Sequence, residues 1–491
     1  MLPNAQVPAF HAARLGPERW ALRHEEDGVS WGELDRRSTR RAWALKAAGV
    51  VKDDLVTLSL PNGAAFYEFT FALWKLGATP HVVSWRLAPV ELNAILDLAR
   101  PRLAAVSDPP LRTAIGALPP EFGALGGCED ALPEVVSSYW KAMSSGGSTG
   151  RPKIIIDHAP ALTDPDQPSA LGIPSDSVIL NPGPLYHNAP FLFTHNALFR
   201  GSSVVGMAKF DAEEALKLID EYKVAWVNMV PTMMSRIWRL PNEVRNSHDL
   251  SSLRELWHMA APMPPWLKEE WIRWLGPERI WELYGGTERQ GMTVISGTEW
   301  LEHRGSVGRA VGCRIKVLND AGQDAAVGEV GEIFLMPPGG PGSTYHYLGA
   351  EAHKDNEGWE TIGDFGWLDA DDYLYIADRR TDMILTGGTN IYPAEIEGAL
   401  MEHHLVEVAV VIGMPHADLG AAVHAIVKPS SGAFGQLTEQ ELQEFLRERL
   451  DRHKIPRSFE FTTDILRDDA GKVRRSSLRD ERIASMSREP M

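Results

Sequence analysis

Ser144-Ser145-Gly146-Gly147-Ser148-Thr149-Gly150-Arg151-Pro152-Lys153 sets three glycines and four hydroxyls ahead of two basic residues. Such a run suits a polyphosphate. Glycine lets successive backbone N–H groups turn toward an anion without a Cβ in the way, hydroxyls add donors, and Lys153 adds a point charge. It is not the Gly-Lys-Ser/Thr loop that opens a helix, because Ile154, Ile155 and Ile156 follow Lys153 and favour a strand. A flexible Gly/Ser linker is the competing reading of this segment taken alone.

A phosphate loop needs a rigid frame, and the surrounding chain alternates apolar strands with helical patterns over most of its first 380 residues. That alternation predicts an α/β fold, with a parallel or mixed sheet covered by helices. Leu55 to Leu60 and Thr79 to Val83 read as strands, Ala64 to Leu76 as a helix, and another helix begins near Pro89. Asp211 is the expected N-cap of a helix over Ala212 to Tyr222, which leads into a strand over Ala225 to Met229. After Asp378-Arg379-Arg380-Thr381-Asp382 the pattern changes. A helix near Pro393 to Met401, strands at Val406 to Ile412 and Val423 to Val427, and a charged helix near Thr438 to Leu450 predict a small α+β domain. The expected domains are therefore 1–379 and 380–491.

Length and composition bound the remaining options. At 491 residues, 44% hydrophobic and 23% charged, the chain is long enough for two or more globular units. A net charge of -17 argues against a general nucleic-acid binder. Residues 1–16 carry no apolar core after a basic cluster, and no run of 18 apolar residues occurs, so no membrane span is expected and a cytoplasmic location is. Only Cys128 and Cys313 are present, which leaves no disulfide framework and no thiolate metal site. His403 and His404 are adjacent, would diverge by about 100° on a helix, and read as a solvated helix end.

Several further segments share a chemical logic with the loop. Trp281-Glu282-Leu283-Tyr284-Gly285-Gly286-Thr287-Glu288 contains Tyr-Gly-x-Thr-Glu, Thr361-Ile362-Gly363-Asp364 contains a near Thr-Gly-Asp element, and Gly471-Lys472 lies close to the C-terminus. With Ser145 to Lys153, these make the chain resemble the adenylate-forming superfamily of acyl-CoA synthetases, adenylation domains and luciferases, from about Val29 to Leu478. The resemblance implies a large N-terminal domain and a small mobile C-terminal one, with ATP, Mg2+ and coenzyme A as cofactors. It implies that Ser145, Gly146, Gly147, Ser148, Thr149, Gly150 and Lys153 hold the phosphates, with Gly146 replacing the usual serine. Tyr284 and Gly285 would border the adenine, Thr287 the α-phosphate, Gly286 the acyl group, and Glu288 would hold Mg2+, a hard ion that needs an oxygen ligand beside phosphate. Asp364 would accept from both ribose hydroxyls, as a two-oxygen acceptor can, with Arg379 beside it. Lys472 would be the catalytic cation between carboxylate and α-phosphate, and Gly387 and Gly388 would line the pantetheine tunnel. Met259-Ala260-Ala261-Pro262 replaces the usual Gly-Gly-Ala-Pro at the adenine edge, so Met259 reshapes that edge or the acyl pocket. Thr381 stands at the hinge where relatives carry Asp or Lys.

Leu185-Tyr186-His187-Asn188-Ala189-Pro190-Phe191 resembles the segment that borders the carboxylate pocket, so His187, Asn188 and Phe191 are expected at the substrate. Asn188 falls where amino-acid-activating relatives place an aspartate, and a neutral amide pairs a substrate ammonium poorly, which favours an acyl acid. Trp226, Trp238, Met229, Met233, Met234 and Met259 suggest a broad apolar chamber, and the wording of the motifs resembles ligases of bile, steroid and polycyclic terpenoid acids. Medium-chain and aryl acids stay open. The expected activity is an AMP-forming acid–thiol ligase acting on a small-molecule carboxylic acid. The alternatives are an adenylation enzyme loading a carrier-protein phosphopantetheine, a noncatalytic nucleotide-binding homologue, and an oxygenase of the luciferase type. A homodimer is compatible with each of these.

Overall fold

The computed structural model describes every residue except 26, 147–151, 380–381, 387–388, 417, 469–470 and 487–491, and the side chains of 145, 146, 379 and 486. Gly147, Ser148, Thr149, Gly150, Gly387, Gly388 and Thr381, and the side chains of Ser145 and Arg379, therefore lie outside the described residues.

A six-stranded sheet carries the two strands that flank residues 147–151. Its order is Tyr345–Leu348, Pro152–Asp157, Ala142–Gly146, Thr79–Val82, Leu55–Ser59 and Leu103–Val106. The last four of these strands pair in parallel, whereas Ala142–Gly146 and Pro152–Asp157 run antiparallel with Gly146 opposite Pro152. The helix Ala64–Lys75 follows Leu55–Ser59, and Pro89–Ala99 starts on proline, whose fixed φ suits a first turn.

A second, mixed sheet comprises fifteen strands among the described residues. Its parallel run of Val178–Asn181, Trp226–Met229, Glu255–His258 and Ile280–Gly285 turns antiparallel at Met292–Ser296. The helix Ala212–Glu221 is capped as expected, the Asp211 carboxylate accepting from the Glu213 and Glu214 N–H groups. Side chains alternate across a strand, and here the alternation separates residues that sequence reading grouped together. Trp226 packs on Phe193 at 5.2 Å and joins Phe191 and Met259 in one core cluster. Met229, Met233 and Met234 join another, with Trp238 packed against it. The single broad chamber expected from these residues is therefore two packed cores.

The strand Leu374–Arg379 belongs to the large sheet, whereas Ile384–Thr386 belongs to a separate five-stranded sheet with Thr389–Ile391, Gly420–Pro429, Val406–His416 and Ser458–Phe461. The helices Pro393–Met401 and Glu439–Arg447 supply Ile396, Leu400, Leu442 and Leu446 to this unit's own core. His403 corrects the solvated-end expectation, because it lies buried past the helix with its ring edge-on to Phe445 at 4.9 Å. Among the described residues no helix is long and apolar enough to cross a membrane.

Candidate active site

Parallel strands bring their C-terminal ends to one edge, and open α/β sheets bind ligands there. Glu255–His258 and Ile280–Gly285 are parallel neighbours, so Met259–Ala261 and Gly286–Glu288 leave the sheet side by side. Beneath them Lys268 donates to Glu282 at 2.5 Å, with His258 Nε2 3.6 Å from the same carboxylate. All three are buried, and burial keeps His258 neutral, its pKa well below the usual imidazole value.

Glu288 is the centre of the site. Its Oε1 accepts from Lys153 Nζ at 3.2 Å and from the Tyr347 hydroxyl at 2.6 Å, and Lys153 also donates to Tyr347 at 3.0 Å. Burial by itself would raise the Glu288 carboxyl, but Lys153 and Tyr347 outweigh it and its pKa is lowered. The site thus holds a carboxylate at neutral pH. The Gly286 Cα approaches this group so closely that a Cβ there would lie 2.8 Å from Glu288 Oε2. Tyr347 reaches in because Tyr345–Leu348 pairs with Pro152–Asp157, the strand that carries Lys153.

Tyr284 donates its hydroxyl to Asp364 Oδ2 at 2.7 Å, and Asp364 lies directly across from Arg379 in an antiparallel pair. The residues expected at adenine and ribose therefore adjoin one another, on the sheet that carries Glu288. Ala260 holds φ +72°, left-handed backbone that favours glycine. The loop keeps the backbone turn while replacing the residue that makes it cheap. Ala260→Gly is expected to raise stability by about 0.5–1 kcal/mol, read as a higher urea midpoint; an unchanged or lower midpoint would refute the strain.

The C-terminal unit closes against this edge. Gly471 lies against Thr232 and Ala261, with a Cβ built there 3.4 Å from Thr232 Oγ1 and 3.8 Å from the Ala261 Cβ. Lys472, the next residue, is exposed, and its backbone N–H donates to Asp468 Oδ1 at 2.9 Å. Arg239 clamps the two units, giving Nη1 to Ser430 Oγ at 2.9 Å and Nη2 to the Val406 carbonyl at 2.5 Å. Arg474 reaches Glu91 at 3.0 Å.

The sequence profile of the AMP-binding enzyme family matches residues 9–133 and 142–347, and that of the AMP-binding enzyme C-terminal domain matches 395–472. The chain belongs to the AMP-binding enzymes. It is 32% identical over 492 residues to a feruloyl-CoA synthase of Amycolatopsis, covering 95% of this chain and 96% of the relative. It is 30% identical over 504 residues to a fatty acid–acyl-carrier-protein ligase of Streptomyces coeruleorubidus, covering 97% and 95%. Its fold superposes on the o-succinylbenzoate coenzyme A synthetase of Bacillus subtilis, solved with its acyl-adenylate intermediate, with a TM-score of 0.83 at 27% identity over 97% of this chain and 98% of that one.

Within this AMP-binding enzyme the residues expected at the acid are placed unevenly. His187 and Asn188 stand at the start of the helix Asn188–Phe199, half-buried. Phe191 does not line an opening: it is fully buried among Phe66, Trp140 and His195. Met259 is likewise buried in the same core. One turn of helix points Phe191 inward against Phe66 of the helix Ala64–Lys75 and against Trp140, which a linear reading of apolar residues does not reveal.

Three residues that sequence reading passed over complete the surroundings. Tyr347 is one. The others are Lys141 and Arg289, which share Asp157: Lys141 Nζ lies 3.2 Å from Asp157 Oδ2, and Arg289 Nη1 donates to both carboxylate oxygens at 2.9 and 3.1 Å. Burial alone would raise Asp157, but the two cations outweigh it and hold its pKa low. Lys141 also donates to Asn188 Oδ1 at 2.8 Å, so the Asn188 carbonyl is already engaged by a buried ammonium. A lone lysine ahead of a strand carries no local signal of such pairing, whereas Arg289, next to Glu288, was within reach of the motif.

Proposed function

We propose that this chain is an AMP-forming acid–coenzyme A ligase whose acid carries a ring, and that Lys153, Glu288, Tyr284, Asp364 and Lys472 perform the roles assigned to them from sequence. The observation that carries this reading is the convergence of Glu288, Tyr284 and Asp364 from the large sheet with Lys153 from the six-stranded sheet, beside the loop against which the C-terminal unit lays Gly471. In the first step a carboxylate oxygen bonds to the α-phosphorus of ATP and the bond to pyrophosphate breaks. In the second, the thiol sulfur bonds to the acyl carbon and AMP leaves. Phosphoryl chemistry of this kind asks for positioning and charge neutralisation more than for a protein nucleophile.

Lys153 and Glu288 hold each other in place until MgATP arrives, when the ammonium turns to phosphate oxygens and the carboxylate becomes available. A single buried carboxylate beside phosphates fits Mg2+, which takes few protein ligands and several from substrate and water; Glu288 would hold it, and the ion would neutralise phosphate charge. Asp364 and Tyr284 fix the nucleoside, and Lys472 places its charge at the reacting centre. The chain passes from the large sheet to the small one after Arg379, and the domain boundary and hinge are assigned there.

The names of the feruloyl and o-succinylbenzoate relatives support an aromatic acid, and the engaged Asn188 carbonyl disfavours a substrate ammonium. The fatty acid–acyl-carrier-protein relative gives a specific reason to test a carrier protein as the acceptor. The expected result is acid-dependent AMP release with coenzyme A, greatest for aryl or polycyclic acids within a panel that includes medium-chain fatty acids. Product mass spectra with coenzyme A and with a carrier protein distinguish the acceptors. No acid-dependent pyrophosphate release across the panel would overturn the catalytic reading.

A further inference from the structure

Ser144 is the last residue before the phosphate run whose side chain is described, and it is tied to the sheet interior by a chain of hydrogen bonds that the mechanism above does not use. His81 Nε2 lies 2.8 Å from Ser144 Oγ, and His81 Nδ1 lies 2.9 Å from Thr57 Oγ1. Thr57 sits directly across from His81 on the neighbouring parallel strand, and His81 across from Ala142 on the strand that leads into the loop. Thr57 and His81 are fully buried.

The surroundings make this arrangement costly unless every member is paired. Ala142 packs with Ile154, Ile156, Leu92 and Ile95 in an apolar layer, and Ser144 shares the face of Ala142 by strand alternation. An imidazole set against such a layer needs both ring nitrogens satisfied. Burial pushes the His81 pKa down to about 3, so the ring is neutral and has one donor and one acceptor. Thr57 and Ser144 meet both, one on each side. The same alternation puts Ser144 on the face of Gly146, the position where the motif usually carries a serine and this chain has lost a hydroxyl.

We propose that His81 is a positioning residue for ATP: braced by Thr57, it fixes the Ser144 hydroxyl and the end of the strand Ala142–Gly146, where the glycine-rich loop of the sequence begins. The inference rests on the reading that this loop holds the phosphates. It extends the site from the loop across three neighbouring strands of the six-stranded sheet. His81 acts through Ser144, so its effect belongs to ATP and not to coenzyme A.

The test is steady-state and exchange kinetics of the full chain with ATP varied. Ser144→Ala and His81→Leu are each expected to raise the KM for ATP about tenfold, the scale of one lost buried hydrogen bond. The KM for coenzyme A and the rate of thioester formation from supplied acyl adenylate should stay within twofold. His81→Gln, whose amide reaches the place of Nε2, should recover most of the ATP affinity, while His81→Asn, which stops at the place of Nδ1, should not. The double variant His81→Leu/Ser144→Ala should be no worse than either single one, as coupled partners require. An unchanged KM for ATP in Ser144→Ala, or additive effects in the double variant, would overturn the proposal even if His81→Leu fails to fold. Wild-type exchange separates the two levels. If it depends on acid and ATP while Ser144→Ala behaves identically, only the positioning role falls; if wild type shows no exchange, the phosphate-loop reading falls and this inference with it.

Discussion

Lys472→Ala is expected to slow acyl-adenylate formation by about 10² or more, the scale for removing one donor aimed at transition-state charge, while supplied acyl adenylate is still converted to thioester. Because the Lys472 side chain is exposed, its truncation should change folding stability by no more than about 0.5 kcal/mol. The loop that presents it is built by other atoms. Asp468 accepts from the Gly471 and Lys472 N–H groups, and Arg467 Nη1 donates to the Gly471 carbonyl at 3.0 Å. Arg467 and Arg475 both pair with the buried Glu397, at 2.7 and 2.6 Å, so the loop is tied to the core of the C-terminal unit. An unaltered rate of acid-dependent pyrophosphate exchange in Lys472→Ala would remove this residue from the mechanism. A matching loss in both half-reactions would point to a folding defect instead.

Glu288→Gln is the second large effect. Adenylation should fall by about 10²–10³, the range seen when a preorganised electrostatic group is lost, and the variant should lose its response to added Mg2+. Stability adds a test independent of turnover. The folded-state pKa of Glu288 is lowered from its usual 4.5, so the charged form contributes stability that is fully present above that value and is lost as pH falls through the lower folded value. Wild type should therefore be more stable than Glu288→Gln from neutral pH down to about 5, and the gap should close under more acid conditions. Lys153→Met should cost about 3 kcal/mol at neutral pH, because it leaves the buried Glu288 carboxylate without its cation. A gap between wild type and Glu288→Gln that widens below pH 4.5 would contradict the electrostatic assignment.

The strands and helices around the site were largely legible because each carries its own signal. Leu55–Ser59, Thr79–Val82 and Trp226–Met229 are apolar runs bounded by turns, and Asp211 precedes an amphipathic helix that it caps. The direction in which an apolar side chain points was not legible. Phe191 and Met234 both sit in apolar helical segments, yet one enters the core that holds residues of both sheets, such as Leu58 and Trp226, and the other the core that holds Met229 and Leu256. Hydrophobicity reports burial and says nothing of whether the burying surface is protein or substrate.

The residue types and spacings of this chain by themselves determined the α/β organisation, and its short motifs carried the resemblance to adenylate-forming enzymes, because apolar periodicity and glycine-rich motifs are local features of a chain. Only the tertiary structure decided which groups hold one another. Tyr347 is 59 residues from Glu288, Lys141 is 47 from Asn188 and His81 is 63 from Ser144, and each pair meets within 2.9 Å. Hydrogen bonds of that reach are created by strand pairing and sheet closure, whose register is a property of the whole packed molecule and not of any window of sequence.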